Sequence, residues 1–284
     1  MKNLLQLPDI QALINIALRE DIGSGDHSSL ACLENNKLGN AYCVAKDDGV
    51  ICGLELAEFI FHQIDPLLVF KTNFKDGDMI KIGDNVFTVE GKSVSILTAE
   101  RLVLNFCQRL SGVATQSRNI SDLVKDYKTK VLDTRKTTPG MRLFEKYAVK
   151  IGGSFNHRIG LFDMIMLKDN HIDFAGGIKQ AIEKTHAYLK ANQLDLKIEI
   201  ETRNLDEVKQ VLAVGGVNRI MLDNFTPDLI KQAVDLINGA YETEASGGIT
   251  INTITDFAKA GVDFISIGAL THSAKSIDLS LKVS

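Results

Sequence analysis

Tryptophan is absent from this 284-residue chain, and proline and cysteine each occur only four times. Neither scarcity points to a fibrous or disordered protein. Apolar residues at 45% and charged residues at 24% give the balance of a globular chain. The cysteines, Cys32, Cys43, Cys52 and Cys107, form no CxxC pair and lack the histidine spacing of a zinc site. They are expected as reduced, partly buried thiols. No window of about 18 uninterrupted apolar residues is present to cross a membrane. The first eleven residues lack the basic start and long apolar run of a signal peptide, so a cytoplasmic enzyme is the expectation. A basic excess is also missing. The net charge is -4, which argues against a nucleic-acid partner and requires any anion site to be a local basic cluster. No Gly-rich dinucleotide fingerprint follows any predicted strand.

The length suits an α/β barrel with a modest companion. After Pro8, Asp9 is placed to cap a helix in which Ile10, Leu13, Ile14, Ala17 and Leu18 follow helical spacing. Asp21 to Ser29 reads as a polar, Gly-bearing loop. Ala41–Ala45 and Leu67–Thr72 read as strands around a helix at Leu54–Ile64. The turn signals Gly77-Asp78 and Gly83-Asp84 bracket a strand at Met79–Ile82, and Val86–Val89 follows as another. A long helix, Ser95–Leu110, closes this small α+β unit.

The remainder alternates. Val131–Asp133, Met164–Leu167, Lys197–Glu201, Arg219–Leu222, Tyr241–Ala245 and Asp263–Ile267 are short apolar runs. Most are separated by helical segments such as Gly177–Lys190, Asp206–Val214 and Pro227–Asn238. The last four runs begin about 22 residues apart, a βα repeat compatible with a barrel. Such alternation implies a parallel sheet, closed or nearly closed.

In α/β barrels the chemistry lies at the C-terminal strand ends. Those ends carry Asp133-Thr134-Arg135-Lys136, Lys168-Asp169-Asn170-His171, Glu199-Ile200-Glu201, Leu222-Asp223-Asn224, Ser246-Gly247-Gly248 and Ile267-Gly268-Ala269. Arg135, Lys136, His157, Arg158 and Lys168 make a basic cluster. Glu201 and Asp223 are acidic and come from successive later strands. Ser246-Gly247-Gly248 and Gly268-Ala269 would offer bare backbone N–H groups ahead of helices, a phosphate cradle. One compartment would take a carboxylate-rich anion, one a metal or sugar hydroxyls, and one a phosphate. Each item also has a plainer reading. Arg135 or Lys168 alone would be a rim salt bridge. Glu199 and Glu201 alternate on one strand face, so one could be the buried partner of a lysine. Gly-Gly often only turns a chain. His171, His186 and His272 read as structural, whereas His157 stands out between Asn156 and Arg158 in a Gly-rich stretch. The combination carries the functional reading.

These motifs resemble quinolinate phosphoribosyltransferase, also called nicotinate-nucleotide pyrophosphorylase (carboxylating), over most of the chain. They comprise Glu100-Arg101 with Leu104-Asn105, Ser111-Gly112-Val113-Ala114-Thr115 as the exit of the long helix, and the run Asp133 to Arg142. Glu145 to Val149, Asn156-His157-Arg158, Lys168 to His171, Glu201, Asp223, Ser246-Gly247-Gly248 and Gly268 complete the set. Ser154 departs from the family, which has a third glycine there, and a stiffer loop is the expected effect.

The resemblance implies an N-terminal α/β sandwich (residues 1–111, with 274–284 packing back on it) followed by an incomplete, seven-stranded α/β barrel (112–273). It implies a homodimer or higher homo-oligomer with Arg101 entering the neighbour's site. Arg101, Thr134, Arg135, Lys136, His157, Arg158 and Lys168 would then bind quinolinate, whose two carboxylates need several cations. Glu201 and Asp223 would hold the ribose hydroxyls and Mg2+. Ser246, Gly247, Gly248 and Gly268 would grip the 5′-phosphate of phosphoribosyl pyrophosphate. Lys136, Lys168, Glu201 and Asp223 would act in catalysis.

Three other readings stay open. One is a related phosphoribosyltransferase of a molybdenum-transport operon, or a nicotinate-specific enzyme. The paired cations Arg135-Lys136 and His157-Arg158 favour a dicarboxylate over nicotinate. A barrel aldolase using Lys168 as a Schiff-base amine would want that lysine desolvated and free of competing charge. A non-catalytic metabolite sensor would have less need of the acidic pair.

Overall fold

The structure, a computed structural model, describes residues 1–34 and 36–284. They form two compact units. The first is built from Met1–Arg118, Thr138–Gly153 and Leu270–Ser284, and the second from Asn119–Thr137 and Ser154–Ala269. Twelve strands occur among the described residues. They are β1 (Leu38–Ala45), β2 (Gly49–Val50), β3 (Val69–Lys71), β4 (Met79–Ile80), β5 (Asn85–Lys92), β6 (Lys130–Leu132), β7 (Ile165–Leu167), β8 (Ile198–Thr202), β9 (Arg219–Asp223), β10 (Glu242–Ser246), β11 (Phe264–Ser266) and β12 (Leu279–Val283).

In the first unit β12, β1, β5 and β3 make an antiparallel sheet in that order. Ala41, Cys43 and Ala45 of β1 point to one buried face, the period-two pattern of a sheet with one covered side. The helix Leu54–Ile64 buries Leu56, Ala57, Ile60 and Phe61. The Phe61 ring meets Phe87 of β5 edge-on at 6.1 Å, and Phe87 lies 4.9 Å from Phe70 of β3.

Three local expectations are corrected. Asp9 is not the helix cap. The helix Pro8–Ile22 starts from Leu7 with Pro8 at its first position, where a missing N–H costs nothing. Asp9 therefore lies in the first turn, where a carboxylate favours the positive helix end. The Asp21–Ser29 loop is shorter than its composition suggested, because that helix continues to Ile22 and another, His27–Cys32, follows. Asp26 caps this second helix by accepting the Ser29 N–H at 3.0 Å. The long helix does not exit at Ser111–Thr115 but runs over Ser93–Leu123. Gly112 is there for close approach. A Cβ on it would lie 2.1 Å from the Lys275 carbonyl oxygen.

A buried ion pair ties the separate segments of this unit together. The Arg109 guanidinium donates to Glu145 Oε1 at 2.6 Å and to the carbonyls of Thr271 (2.6 Å) and Ala274 (2.8 Å). Glu145, fully buried, also accepts the Thr138 N–H at 3.1 Å and its hydroxyl at 2.8 Å. Both ions are saturated with partners, the condition under which buried charge is tolerated.

The second unit contains a parallel sheet in the order β6-β11-β10-β9-β8-β7. A seventh position is reduced to a parallel bridge between Leu132 and Phe155, closed by Phe155 N–H to Val131 O at 2.8 Å and Asp133 N–H to Phe155 O at 3.0 Å. Helices follow β7 to β10 in the βα alternation. Asn204 caps Leu205–Val214, and Thr226 caps Pro227–Ile237. Every residue of β8 is buried: Ile198 and Ile200 on one face, Glu199 and Glu201 on the other. This is an open α/β barrel whose interior face carries charge. Ser154 adds a tie to its first loop, its hydroxyl 2.8 Å from that of Ser121.

In an exposed helix interior Gly to Ala would stabilise by about 1 kcal/mol. Gly112→Ala should do the opposite and lower the unfolding free energy by about 1–3 kcal/mol, read from urea denaturation, because the added methyl has no room beside Lys275 O.

Candidate active site

The strand ends of the second unit bring most of the expected residues together. Lys168 follows β7, Glu201 lies near the end of β8, Asp223 ends β9 and Ser246 ends β10. Lys168 Nζ lies 3.4 Å from Glu201 Oε2. Glu201 is held above the usual carboxylate range by burial, with the Asp223 charge adding to the rise and Lys168 opposing it. Asp223 is raised too, again by burial first, against the Lys168 charge and donors from Asn224 and the Ser246 hydroxyl. Asp169 raises both. One lysine thus stands among three carboxylates at this edge, which leaves the locality short of positive charge.

The end of β10 is locked to the end of β9. Asn224, with φ at +56°, donates its N–H to Ser246 O at 2.8 Å and its side-chain amide to Asp223 Oδ2 at 2.6 Å. Gly247 has φ at +91°, and a Cβ there would sit 2.2 Å from Asn224 Oδ1. Only glycine fits. The Gly247-Gly248 turn does not lead straight into a helix as expected. The next helix, Ile254–Lys259, starts after a turn in which Thr250 N–H meets Thr253 Oγ1 at 3.0 Å. Gly268 directly precedes the four-residue helix Ala269–His272.

The basic residues divide. Arg135 and Lys136 are exposed on the loop after β6, and Thr134 Oγ1 folds that loop by accepting the Lys136 N–H at 3.0 Å. Arg158 is part-buried and donates to Met164 O at 3.2 Å. Its guanidinium is held below its ordinary pKa by burial and by the neighbouring Arg135 cation, against the Glu199 and Asp163 charges. Arg101 is exposed on the long helix of the first unit.

His157 does not stand with these cations at an open surface. It is buried, at 8% exposure, with Nε2 2.9 Å from Glu199 Oε2 and 3.3 Å from Glu244 Oε2. Both glutamates are fully buried. Arg219 Nη1 meets Glu244 Oε2 at 2.8 Å, and its Nη2 meets Glu242 Oε2 at 3.0 Å. The same guanidinium stacks 3.9 Å over the Phe264 ring. Burial first, and then the Glu244 charge, push Glu199 up to about 7. Burial opposes charging of His157, but the two carboxylates outweigh it and draw the ring up to about 9. The hydrogen bonding points the other way. Nδ1 accepts the Arg158 N–H at 2.7 Å, and an imidazolium would carry a proton there. The tautomer that fits this contact is Nε2–H, with Nε2 donating toward the two carboxylates.

This inner cluster lay outside the sequence reading, which treated Glu199 only as a lysine's possible partner. The available signal was a glutamate in mid-strand of β8 and another in β10, since a charge inside a barrel strand demands a partner. Among the described residues, His157, Glu199 and Glu244 are the group of three with potential metal-ligand atoms within 4.8 Å of one another. Arg219 already supplies the compensating cation there. Glu201 and Asp223 are the hard-oxygen pair at the open end, of the kind that holds Mg2+ together with substrate phosphates. The carboxylate repulsion at Glu201 is what such an ion would relieve, so these residues fit it. The other histidines sit in local bonds. His171 Nδ1 accepts the Lys168 N–H at 3.0 Å, His186 Nε2 lies 2.7 Å from Gly216 O, and His272 Nδ1 lies 2.6 Å from the Ser273 hydroxyl.

Comparison with known proteins adds an independent line. Two family models match: the quinolinate phosphoribosyl transferase N-terminal domain over residues 26–111 and its C-terminal domain over 113–282. The chain is 46% identical to the chloroplastic nicotinate-nucleotide pyrophosphorylase [carboxylating] of Arabidopsis thaliana, covering 97% of this chain and 83% of that protein. It is 40% identical to the probable nicotinate-nucleotide pyrophosphorylase [carboxylating] of Bacillus subtilis, covering 96% and 93%. The crystal structure of NadC from Streptococcus pyogenes superposes with a TM-score of 0.92 at 42% identity, covering 97% and 96%.

Replacing Lys168 by Met should raise the Glu201 pKa further, because burial and the Asp223 and Asp169 charges then act unopposed. A carboxylate titration followed by 13C NMR reads this directly. An unchanged or lower value would mean that Lys168 and Glu201 are not coupled.

Proposed function

The chain belongs to the quinolinate phosphoribosyltransferase family, and we propose that it joins quinolinate to the ribose of phosphoribosyl pyrophosphate, giving nicotinate mononucleotide, pyrophosphate and CO2. The observation that carries this reading is the sorting of charge at the strand ends. The Arg135 charge acts on Arg158 as a like neighbour, while Glu201 and Asp223 gather around Lys168. Two neighbouring guanidiniums suit two carboxylates on one ring.

In this reading Arg135, Lys136, Arg158 and Lys168 bind the quinolinate carboxylates, and Thr134 shapes the loop that presents the first two. Glu201 and Asp223 hold the ribose hydroxyls and Mg2+, an ion that supplies charge neutralisation to the departing pyrophosphate. As the bond from the anomeric carbon to pyrophosphate breaks, positive charge grows on the ribose, and the same two carboxylates stabilise it. The pyridine nitrogen forms the new bond from the opposite face. The now cationic nitrogen stabilises the electron pair left at the neighbouring carbon when the 2-carboxylate departs as CO2. That carbon then takes a proton. Lys136 and Lys168 orient the ring through this step. The Ser246-Gly247-Gly248 turn and Gly268 receive the 5′-phosphate on backbone N–H groups. His157, beside Arg158, belongs to the same quinolinate-binding set.

Arg101 would complete the site of a second copy of the chain. Leu161, Phe162 and Phe174 are exposed at 71%, 73% and 92%, and covering such apolar surface would favour an assembly. No helix among the described residues is long and apolar enough to cross a membrane, and we place the enzyme in the cytoplasm.

The test is a coupled assay with quinolinate, phosphoribosyl pyrophosphate and Mg2+, with nicotinate as the parallel substrate. CO2 and nicotinate mononucleotide should appear in equal yield from quinolinate alone. Turnover of nicotinate without CO2 would move the protein to the nicotinate-specific activity, and turnover of neither would favour the molybdenum-linked or sensor readings. Lys168→Ala should lower kcat by about a hundredfold or more while leaving the unfolding midpoint in place, because the Lys168 side chain is half exposed. Chelating the divalent ion should abolish turnover, and added Mg2+ should restore it.

A further inference from the structure

The two glutamates beneath His157 are too highly charged to be filler. Glu199 and Glu244 are fully buried. Each turns one carboxylate oxygen toward the His157 ring. A protein retains such an arrangement against its desolvation cost only when it fixes something. What it fixes is visible on the far side of the imidazole. His157 Nδ1 accepts the N–H of Arg158 at 2.7 Å, and the His157 N–H is itself held by Asp133 Oδ1 at 2.8 Å. Consecutive peptide N–H groups of the His157-Arg158 pair are thereby tied to side chains.

The Arg158 guanidinium needs that restraint. It donates to one backbone carbonyl, Met164 O, at 3.2 Å, and the like charge of Arg135 pushes against it. Its aim therefore depends on its backbone. The backbone depends on the His157 ring presenting a bare Nδ1, and that in turn needs the ring proton on Nε2. The carboxylates of Glu199 and Glu244, at 2.9 and 3.3 Å from Nε2, select that tautomer. Arg219 holds Glu244 from the other side at 2.8 Å, and the Ser266 hydroxyl donates to it as well.

We propose that Glu244, Glu199 and Arg219 are positioning residues for the dicarboxylate end of the site, which lock the Nε2–H tautomer of His157 so that its Nδ1 holds the Arg158 backbone and aims the Arg158 guanidinium at the substrate. The proposal rests on the quinolinate reading above. It assigns the barrel interior a role in substrate recognition, distinct from that of the groups that meet the substrate.

The experiment uses the full chain and the conservative variant Glu244→Gln. The substitution removes one of the two negative charges that favour a proton on Nε2, which weakens the bias against a proton on Nδ1, where it would oppose the Arg158 N–H. KM for quinolinate should rise by about tenfold or more, with KM for phosphoribosyl pyrophosphate within about twofold of wild type. Equal changes in both constants, or none, would overturn the proposal. Should Glu244→Gln fail to fold, 15N-histidine NMR of the wild-type protein decides: His157 must read as the neutral Nε2–H tautomer, and an Nδ1–H ring or an imidazolium at neutral pH would overturn the proposal. Wild-type protein that does not turn over quinolinate fails the functional reading instead, whatever the tautomer.

Discussion

Arg219 and Glu244 meet at 2.8 Å inside a parallel sheet, and the other charges of that unit are arranged around this contact. Moving a single ion into such a place costs several kcal/mol, and removing one partner of a pair leaves the other stranded. Arg219 meets this constraint three ways at once. It binds Glu244, reaches Glu242 toward solvent and lies flat on the Phe264 ring. A lysine offers neither the planar stack nor the fork. With one cation so fixed, two more carboxylate-facing groups, Glu199 and His157, become tolerable in the same layer.

Above that layer the sheet ends in an unequal division of charge. Carboxylates collect where β8 and β9 end, with Lys168 as their counterweight, while guanidiniums collect around the loop after β6 and the Arg158 turn. Each set has only part of its charge offset by neighbours: Lys168 for the acids, Glu199 and Asp163 for Arg158. Burial and like charge raise Glu201, and burial and like charge lower Arg158. Groups held away from their ordinary protonation equilibria beside partners of the same sign are the signature of a site prepared for ions of opposite sign. The quinolinate reading supplies those ions: two carboxylates for the guanidiniums and a hydrated divalent cation for the acids. Between them the Asn224–Ser246–Gly247 lock fixes where two strand ends stop, so the polar groups they carry cannot drift apart.

The first unit obeys the same rule with other residues. Glu145 is buried and Arg109 part-buried, and each has additional partners from segments far apart in sequence. This is how three stretches of chain, ending with β12 against β1, form one unit. Close approach at Gly112 serves the same assembly, since the Lys275 backbone lies where a side chain would be.

Much of this was determined by the sequence alone. Strand and helix order followed from periodicity, as at Leu54–Ile64, because a buried face imprints its repeat on the chain. The polar residues at strand ends and their family resemblance were equally local, since a strand and the loop after it are contiguous. Other features were decided only by tertiary structure. Gly112 read as a helix exit because a glycine demanded by a neighbour 163 positions away looks the same in sequence as one that ends a helix. Asp9 read as a cap because capping depends on where the first turn closes. The contacts of His157 with Glu199 and Glu244 stayed hidden because these partners come from β8 and β10, brought beside the His157 loop only when the sheet curls. A sequence states which charges are present. Which of them face each other, and so which keep their protons, is set by contacts between residues remote along the chain, and those exist only in the folded state.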